Sequence, residues 1–202
     1  MVEDDFAFSA SLKTEYTAPR KAKFFQLPSL QYLAITGVGA PGRDAFADAV
    51  GALYGMAYTI KMGRRAANLP CYSIGKLETQ WLNFEAGPPP DRAIWQWRMM
   101  IRTPSFVTPA ECDNAAALQL KRGKSASVKD VALVTTDAGA VIQALHVGPY
   151  ESEGDTLAVM SAIAAAAGLI FAGPPHDIYL SDPRRGAPEK LRTLLRRAVR
   201  SR

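Results

Sequence analysis

The spacing of apolar residues along the first hundred positions predicts a strand, a helix and two further strands. QYLAITGV at 31–38 has the β-branched and aromatic content of a strand and precedes a Gly-Ala-Pro-Gly turn. Apolar residues then recur every three or four positions from 43 to 62, which indicates an amphipathic helix. PCYSIGKLETQWL at 70–82 and AIWQWRMMIR at 93–102 are strand candidates, and EAGPPPD between them predicts a rigid loop.

The same order of elements returns in the second half of the chain. VALVTT at 131–136 and VIQALHV at 141–147 are predicted to form a strand pair around an Asp-Ala-Gly turn. A helix is predicted from 151 to 167 and ends before a glycine. HDIYLSD at 176–182 and KLRTLLRRAV at 190–199 follow as strands.

A separate helix is predicted between the two halves. Thr108 is a suitable N-cap, Pro109 occupies the first helical position, and Glu111 lies three residues after the cap. We therefore expect a helix over 108–122.

Two strand-to-helix turns indicate an internal duplication. TGVGAPGRDAF at 36–46 and LHVGPYESEGDT at 145–156 each contain a strand-like run, then Val-Gly, a Pro and the polar opening of a helix. An Arg-x-apolar-apolar-Arg pattern at 98–102 and at 192–196 supports the match. Gly39 and Gly148 should then occupy equivalent turns.

These patterns predict an α+β fold. Residues 1–30 are predicted to form an N-terminal arm with little regular structure, and residues 31–202 a single domain. The domain is built from two β-α-β-β units, at about 31–102 and 140–200, related by a pseudo-twofold axis. Their antiparallel sheets curve around a ligand cavity, with helices on the flanks.

The charge distribution argues against specific nucleic-acid binding. The chain has 202 residues and a net charge of +5, but 184–202 alone contains eight Lys or Arg and one acid, so the remainder is slightly acidic. No groove-reading motif accompanies this basic run, and we predict that it does not bind specific DNA sequences.

The sequence offers no element for a membrane, a metal or a cofactor. No apolar run reaches the about 20 residues that span a bilayer, and the N-terminus has no signal pattern, so we expect a cytoplasmic protein. The two cysteines form no C-x-x-C pair, and His146 and His176 are isolated from each other. We predict no metal site and no cofactor.

Five phrases in the chain resemble the GyrI-like family of small-molecule-binding domains, in particular its stand-alone branch that includes cyclopropanoid hydrolases. The phrases are LYGMAYTIK (53–61), KLETQW (76–81), MMIRTPSFVTPA (99–110), LHVGPYESE (145–153) and HDIYLSDPRRGAPEKLRTLLR (176–196). The resemblance implies a duplicated fold around a cavity lined with aromatic residues and a buried carboxylate.

The resemblance points to Asp177 and Tyr179 as catalytic residues. The family carries a Glu two residues before this Tyr, and here Asp177 takes its place. Residues two apart on a strand face the same side, so a desolvated carboxylate would lie beside a phenol and hold a water or a cation. The alternative is a solvent-facing carboxylate.

Other polar and aromatic residues are candidates for binding the ligand. Glu78 and Trp81 stand in the family's Trp-bearing strand, but they are three apart and would face opposite sides of a regular strand. The remaining candidates are tyrosines and a tryptophan that could donate hydrogen bonds, stack on a flat ligand or simply pack in the core. They are Tyr54, Tyr58, Trp97 and Tyr150.

Two functions fit these residues. In the first, the protein binds hydrophobic, planar and in some cases cationic molecules in a central aromatic cavity and detoxifies them by hydrolysis. Opening of the cyclopropane ring of DNA-alkylating compounds is the reaction that the resemblance implies. In the second, the protein is a non-catalytic module that sequesters or senses such compounds. We expect a monomer or a homodimer with a small-molecule partner.

Overall fold

The computed structural model describes residues 5–84, 87–89 and 91–202, which form eight strands and four α-helices. The strands are β1 (Lys23–Leu27), β2 (Leu30–Val38), β3 (Leu77–Trp81), β4 (Gln96–Arg102), β5 (Ala132–Thr136), β6 (Gly139–Val147), β7 (Leu169–Tyr179) and β8 (Arg192–Ser201). The helices are α1 (Asp5–Glu15), α2 (Asp44–Ala66), α3 (Pro109–Lys121) and α4 (Glu153–Ala166). None of these helices is long and apolar enough to cross a membrane.

All eight strands belong to one antiparallel sheet in the order β1-β6-β8-β7-β3-β4-β2-β5. The sheet is curved and not closed, since β1 and β5 at its two ends do not pair with each other. Only Pro28 and Ser29 connect β1 to β2, although these strands stand near opposite ends of the order. This short link requires the two ends of the sheet to approach each other. The α+β class and the curved antiparallel sheet predicted from the sequence are confirmed.

The predicted duplication is visible in the element order. The units β2-α2-β3-β4 and β6-α4-β7-β8 follow the same sequence of elements. Gly39 and Gly148 both have a positive φ, and their N–H groups donate to the carbonyls of Trp95 and Leu191, just before β4 and β8. The two glycines therefore occupy equivalent turns.

The two arginine patterns do not match in the way the sequence suggested. Arg98 lies three residues after Trp95, whereas Arg192 directly follows Leu191. Relative to the glycine turns, the patterns are two residues out of register. Because a shift of two keeps each side chain on its own side of the sheet, the mismatch leaves the overall duplication intact.

The sheet has two chemically different sides. On the helix side, Leu33, Ile35 and Met99 pack under α2, while Ile142 and Leu195 pack under α4. On the opposite side lie Tyr32 and Met100 with a set of buried polar groups that includes Glu78, Gln143 and Arg196. The end of α1 covers this opposite side, because Glu15 contacts Arg102 of β4 and Arg196 of β8.

Several sequence-based predictions about local structure were right and several were wrong. The helix expected over 108–122 is α3, and Thr108 and Glu111 form the reciprocal capping box. The N-terminal arm was wrongly predicted to be irregular, since within its described residues it contains α1 and β1. Of the predicted loop at 85–91, residues 85, 86 and 90 lie outside the described residues.

Two strand predictions also require correction. β5 and β6 do not form a pair: β5 pairs with β2, and β6 pairs with β1 and β8. Strand pairing across the sheet therefore outweighs the short Asp-Ala-Gly connection. β7 begins at Leu169 rather than at 176, with a register irregularity between Ala172 and His176 that accommodates Gly173 and two prolines.

Candidate active and ligand-binding site

The centre of the helix side contains polar side chains from three neighbouring strands. Thr79 of β3 pairs with Asp177 of β7, and Tyr179 of β7 pairs with Thr193 of β8. Directly paired residues in an antiparallel sheet share a side, so these four side chains form one polar floor. Asp177 and Tyr179 face the same side, as their spacing predicted.

Asp177 is a buried carboxyl group with one strong hydrogen bond. Its side chain is 8% exposed, and Trp81 Nε1 donates to its Oδ2 at 2.5 Å. Burial raises the pKa of Asp177 to about 6, although the Trp81 hydrogen bond and the charge of Arg197 act to lower it. At neutral pH the group is therefore mostly ionised but close to its titration range, which suits a general base.

Glu153, at the start of α4, is a second carboxyl group of this site that the sequence did not single out. Burial and, to a smaller extent, the nearby charge of Asp177 together raise its pKa to about 9. Its Oε1 atom is buried and has no hydrogen-bond partner among the described residues. Glu153 is protonated at neutral pH, so the site holds one acid and one base with separated pKa values.

An aromatic wall adjoins the two carboxyl groups. The Trp81 ring is stacked against Phe84 at 5.1 Å and against Phe46 at 6.4 Å between centroids, and Trp95 packs edge-on against it at 5.6 Å. Trp97 lies deeper: it is 2% exposed and its ring fills the space beside Gly37, where a Cβ atom would come within 2.2 Å. Trp81 is thus a wall residue, and Trp97 belongs to the core.

The candidate tyrosines lie at the rim. Tyr150 packs edge-on against Tyr179 at 5.9 Å and is 37% exposed. Burial raises the pKa of Tyr179 well above its usual value, so its phenol stays protonated and can donate a hydrogen bond. Tyr54 and Tyr58 are neighbours on α2 with 6.4 Å between their ring centroids, and the Tyr58 side chain is more than half exposed.

Glu78 does not belong to this group of helix-side residues. It pairs with Met100 and Ile178 and points to the opposite side of the sheet, where it is completely buried. Tyr16 donates a hydrogen bond to its Oε1 at 2.8 Å, and Arg196 Nη1 lies 3.8 Å from its Oε2. The spacing of Glu78 and Trp81 had left this placement open, and the regular register of β3 decides it.

His176 completes the surroundings of Glu78. Its Nε2 lies 2.7 Å from Glu78 Oε2, but neither atom has a well-aligned hydrogen-bond partner among the described residues. Burial alone raises the pKa of Glu78, but His176, Arg196 and Tyr16 outweigh it, and the pKa lies below its usual value. Burial lowers the pKa of His176, which is therefore neutral near pH 7.

His146, the other histidine, stabilises the turn between β6 and α4. His146 Nδ1 lies 2.9 Å from Thr156 Oγ1, and its Nε2 lies 3.1 Å from the carbonyl oxygen of Pro149. These contacts fix the approach to α4 and so the position of Glu153. Within the described ranges, no three His, Cys, Asp or Glu side chains come together in a group that could hold a metal ion.

Solved structures resemble this chain closely. A hydrolase from Listeria innocua is 31% identical, with a TM-score of 0.85, and the alignment covers 96% of this chain and 98% of that one. An uncharacterized conserved protein from Listeria innocua is 32% identical with a TM-score of 0.87 and the same coverage. The chain belongs to the family of these Listeria proteins.

A more distant likeness concerns the fold alone. The C-terminal domain of EcmrR is 8% identical to the chain with a TM-score of 0.58, and the alignment covers 90% of this chain and 98% of that domain. The sequence matches no protein-family model and no curated protein.

Proposed function

We propose that the protein is a hydrolase that binds a flat, hydrophobic molecule in the helix-side cleft and adds water to it, with Asp177 as general base and Glu153 as general acid. The observation that carries the proposal is the pairing of the buried Asp177 carboxyl group with the half-buried Glu153 carboxyl group, whose pKa values are separated, at about 6 and about 9. A hydrolase in the Listeria family supports the class of reaction.

The aromatic wall and the phenols supply binding and orientation. The half-buried Phe84 ring offers a surface on which a planar ligand can stack, and the buried Trp81 ring supports it from behind; a stacked pair contributes about 0.5–1.5 kcal/mol beyond its buried area. Tyr179 donates a hydrogen bond to a ligand oxygen, and Tyr150 closes the rim above it. The Trp81 N–H holds the Asp177 carboxylate in one orientation.

The substrate class follows from the resemblance to GyrI-like cyclopropanoid hydrolases, and we assign the Listeria family to that group. The substrate is a compound with a cyclopropane ring conjugated to a carbonyl group. Water attacks a ring carbon while Asp177 takes its proton, and the ring carbon–carbon bond breaks. The electron pair moves through the conjugated system to the carbonyl oxygen, which takes a proton from Glu153. The sum is the addition of one water.

Product analysis with a cyclopropane-bearing alkylator tests the reaction. The wild-type protein should form the ring-opened water adduct, and Asp177→Asn should lower the rate about 10²- to 10⁴-fold, the usual contribution of a general base. Glu153→Gln should lower it to a comparable degree. Glu151→Gln is the matched control, because Glu151 is an exposed acid two positions away and its loss should leave the rate unchanged.

The pH dependence gives an independent check. The rate should rise as Asp177 ionises near pH 6 and fall as Glu153 loses its proton near pH 9, a bell-shaped profile. Titration with an aromatic dye, followed in parallel, separates catalysis from binding. Dye binding without any water adduct would refute the hydrolase proposal and support the sequestering or sensing module.

A further inference from the structure

A cavity of about 260 Å³ lies on the opposite side of the sheet from Asp177 and Glu153. It occurs where the two ends of the sheet come together, and its rim includes the β1–β2 link and the turn between β5 and β6. Leu27, Leu30, Val141 and Ala198 supply much of its wall. The cavity is therefore separate from the site around Asp177, and much of its wall is apolar.

One edge of the cavity carries a row of polar side chains. Gln80 pairs with His176, and His176 pairs with Arg196, so the three lie side by side on neighbouring strands and face the same side. All three line the cavity, together with Tyr32. A molecule in this cavity would meet hydrogen-bonding groups at one end and apolar side chains at the other.

Two of these polar groups have unused hydrogen-bonding capacity. Tyr32 is 1% exposed and His176 is 7% exposed. Both side chains line the cavity, and within the described part of the chain the Tyr32 hydroxyl and His176 Nδ1 form no hydrogen bond and are not among the fully buried unpartnered atoms, so they are open to the cavity. His176 Nε2 faces the Glu78 carboxylate at 2.7 Å and so carries the ring proton, which leaves Nδ1 as an acceptor. A donor and an acceptor that are open to one cavity can together recognise a hydroxyl group on a ligand.

The charges around the cavity indicate that this ligand is neutral. Arg196 donates to Gln143 Oε1 at 2.6 Å and to the carbonyl oxygen of Glu15 at 2.8 Å, and it lies near the Glu78 carboxylate. Its charge is thus already compensated. Asp137 at the rim is exposed. A charged ligand would lose its hydration here without gaining an opposite charge.

We propose that this cavity is a second ligand site, which takes a neutral aromatic alcohol of one or two rings. The ligand hydroxyl group donates to His176 Nδ1 or accepts from the Tyr32 hydroxyl, and its rings contact the apolar wall. The volume suits this size, because a cavity of about 150 Å³ already holds benzene. The proposal is independent of the reaction at Asp177.

Calorimetric titration and nitrogen NMR with 2-naphthol test the second site. The chain has two histidines, so its imidazole ¹⁵N spectrum reports on His176 with His146, on the helix side, as an internal control. Bound 2-naphthol should shift the His176 Nδ1 resonance and leave both His146 resonances in place. Tyr32→Phe should weaken binding about 5- to 10-fold, the size of one net hydrogen bond.

Two further variants identify the place of binding. Ala198→Phe should abolish binding, because Ala198 lines the cavity and the larger side chain would fill it. Asp177→Asn should leave binding unchanged. The proposal is overturned if 2-naphthol does not bind, if naphthalene or 2-naphthoate binds equally well, or if Asp177→Asn rather than Ala198→Phe removes binding. A shift of His146 instead of His176 would overturn it as well.

Discussion

Each side of the sheet carries a pair of carboxyl groups, but among the described residues only the pair on the opposite side forms direct ion pairs with arginines. On the opposite side, Arg102 contacts both oxygens of Glu15, at 3.0 and 3.2 Å, and Arg196 lies beside Glu78. On the helix side, the described residues give Asp177 one hydrogen bond, from the Trp81 N–H, and the charge of Arg197 acts on it without a direct ion pair. One oxygen of the half-buried Glu153 has no partner among the described residues.

This difference distinguishes carboxyl groups that stabilise the fold from carboxyl groups that can exchange protons. A buried carboxylate with a cation and several donors stays ionised, and its pKa falls, as in Glu78. A buried carboxyl group without a direct ion pair keeps a raised pKa and remains able to exchange protons near neutral pH, as in Asp177. Burial alone therefore does not identify the site, whereas burial without a direct ion pair does.

Loss of a cation on the opposite side should cause the largest loss of stability. Arg102→Met would leave the Glu15 carboxylate buried and unpaired, and the free energy of unfolding should fall by about 3–5 kcal/mol. Urea unfolding measures the change. Arg98→Met is the matched control on the same strand and side, since Arg98 makes only a 3.5 Å contact with Gln80. Equal losses in the two variants would contradict the importance of the Glu15 pair.

Replacing the two ionisable carboxyl groups on the helix side, Asp177 and Glu153, should instead stabilise the protein at higher pH. The folded-state pKa values of Asp177 and Glu153 are raised, so ionisation opposes folding as the pH increases. The double variant Asp177→Asn, Glu153→Gln should match the wild type in stability near pH 4 and exceed it increasingly up to pH 9. Asp177 alone accounts for about 3 kcal/mol above pH 6.

Urea unfolding at pH 4, 7 and 9 provides the measurement, and the difference between variant and wild type removes the contributions of other groups. A difference that does not change with pH would show that the two carboxyl groups ionise in the folded protein as they do in the unfolded chain.

The phenol that caps Glu78 should contribute less than the arginines. Tyr16→Phe removes its hydrogen bond to the buried carboxylate and should lower the free energy of unfolding by about 2 kcal/mol. Tyr58→Phe serves as the control, because the Tyr58 side chain is more than half exposed and should tolerate the change. If thermal unfolding shows no difference between the two variants, the Tyr16 bond is not a stabilising contact.

The smallest expected effect is a shift in the titration of Asp177. Trp81→Phe removes the N–H that favours the ionised form, so the pKa of Asp177 should rise above 6 by about one unit, equivalent to about 1.4 kcal/mol. The lower limb of the pH–rate profile, or carboxyl ¹³C NMR, reports the shift. Trp95→Phe alters the same aromatic wall without touching Asp177 and should leave the titration in place. If Trp81→Phe and the wild type gave the same titration of Asp177, the Trp81 hydrogen bond would not be what favours the ionised carboxylate.

Local patterns predicted much of the fold. The capping residues of α3, the strand-to-helix glycines and the shared side of Asp177 and Tyr179 all depend on residues within a few positions of each other. The wrong predictions concern distant partners. α1 has little amphipathic pattern of its own and is held by the Glu15 contacts with Arg102 and Arg196, which come from remote strands.

Glu153 could not be predicted as a site residue for the same reason, because its partner is distant in the sequence. It is one of three acids at the start of α4, where negative charge is common because it favours the helix dipole. Partial burial and the proximity of Asp177, which is brought by a strand that comes after the helix, distinguish Glu153 from the exposed Glu151 and Asp155. No spacing in the sequence carries that information.

The order of strands in the sheet has a consequence for the kinetics of folding. Lys23 pairs with Gln143 and Leu30 with Thr136, so both end pairings join residues more than 100 positions apart. Such distant contacts form slowly, because the entropy of closing a long loop is lost before the contacts stabilise it. Until then β2 and β6 each expose an unpaired edge that invites intermolecular pairing. We therefore expect refolding yield to fall steeply with protein concentration, even for variants whose native state is fully stable.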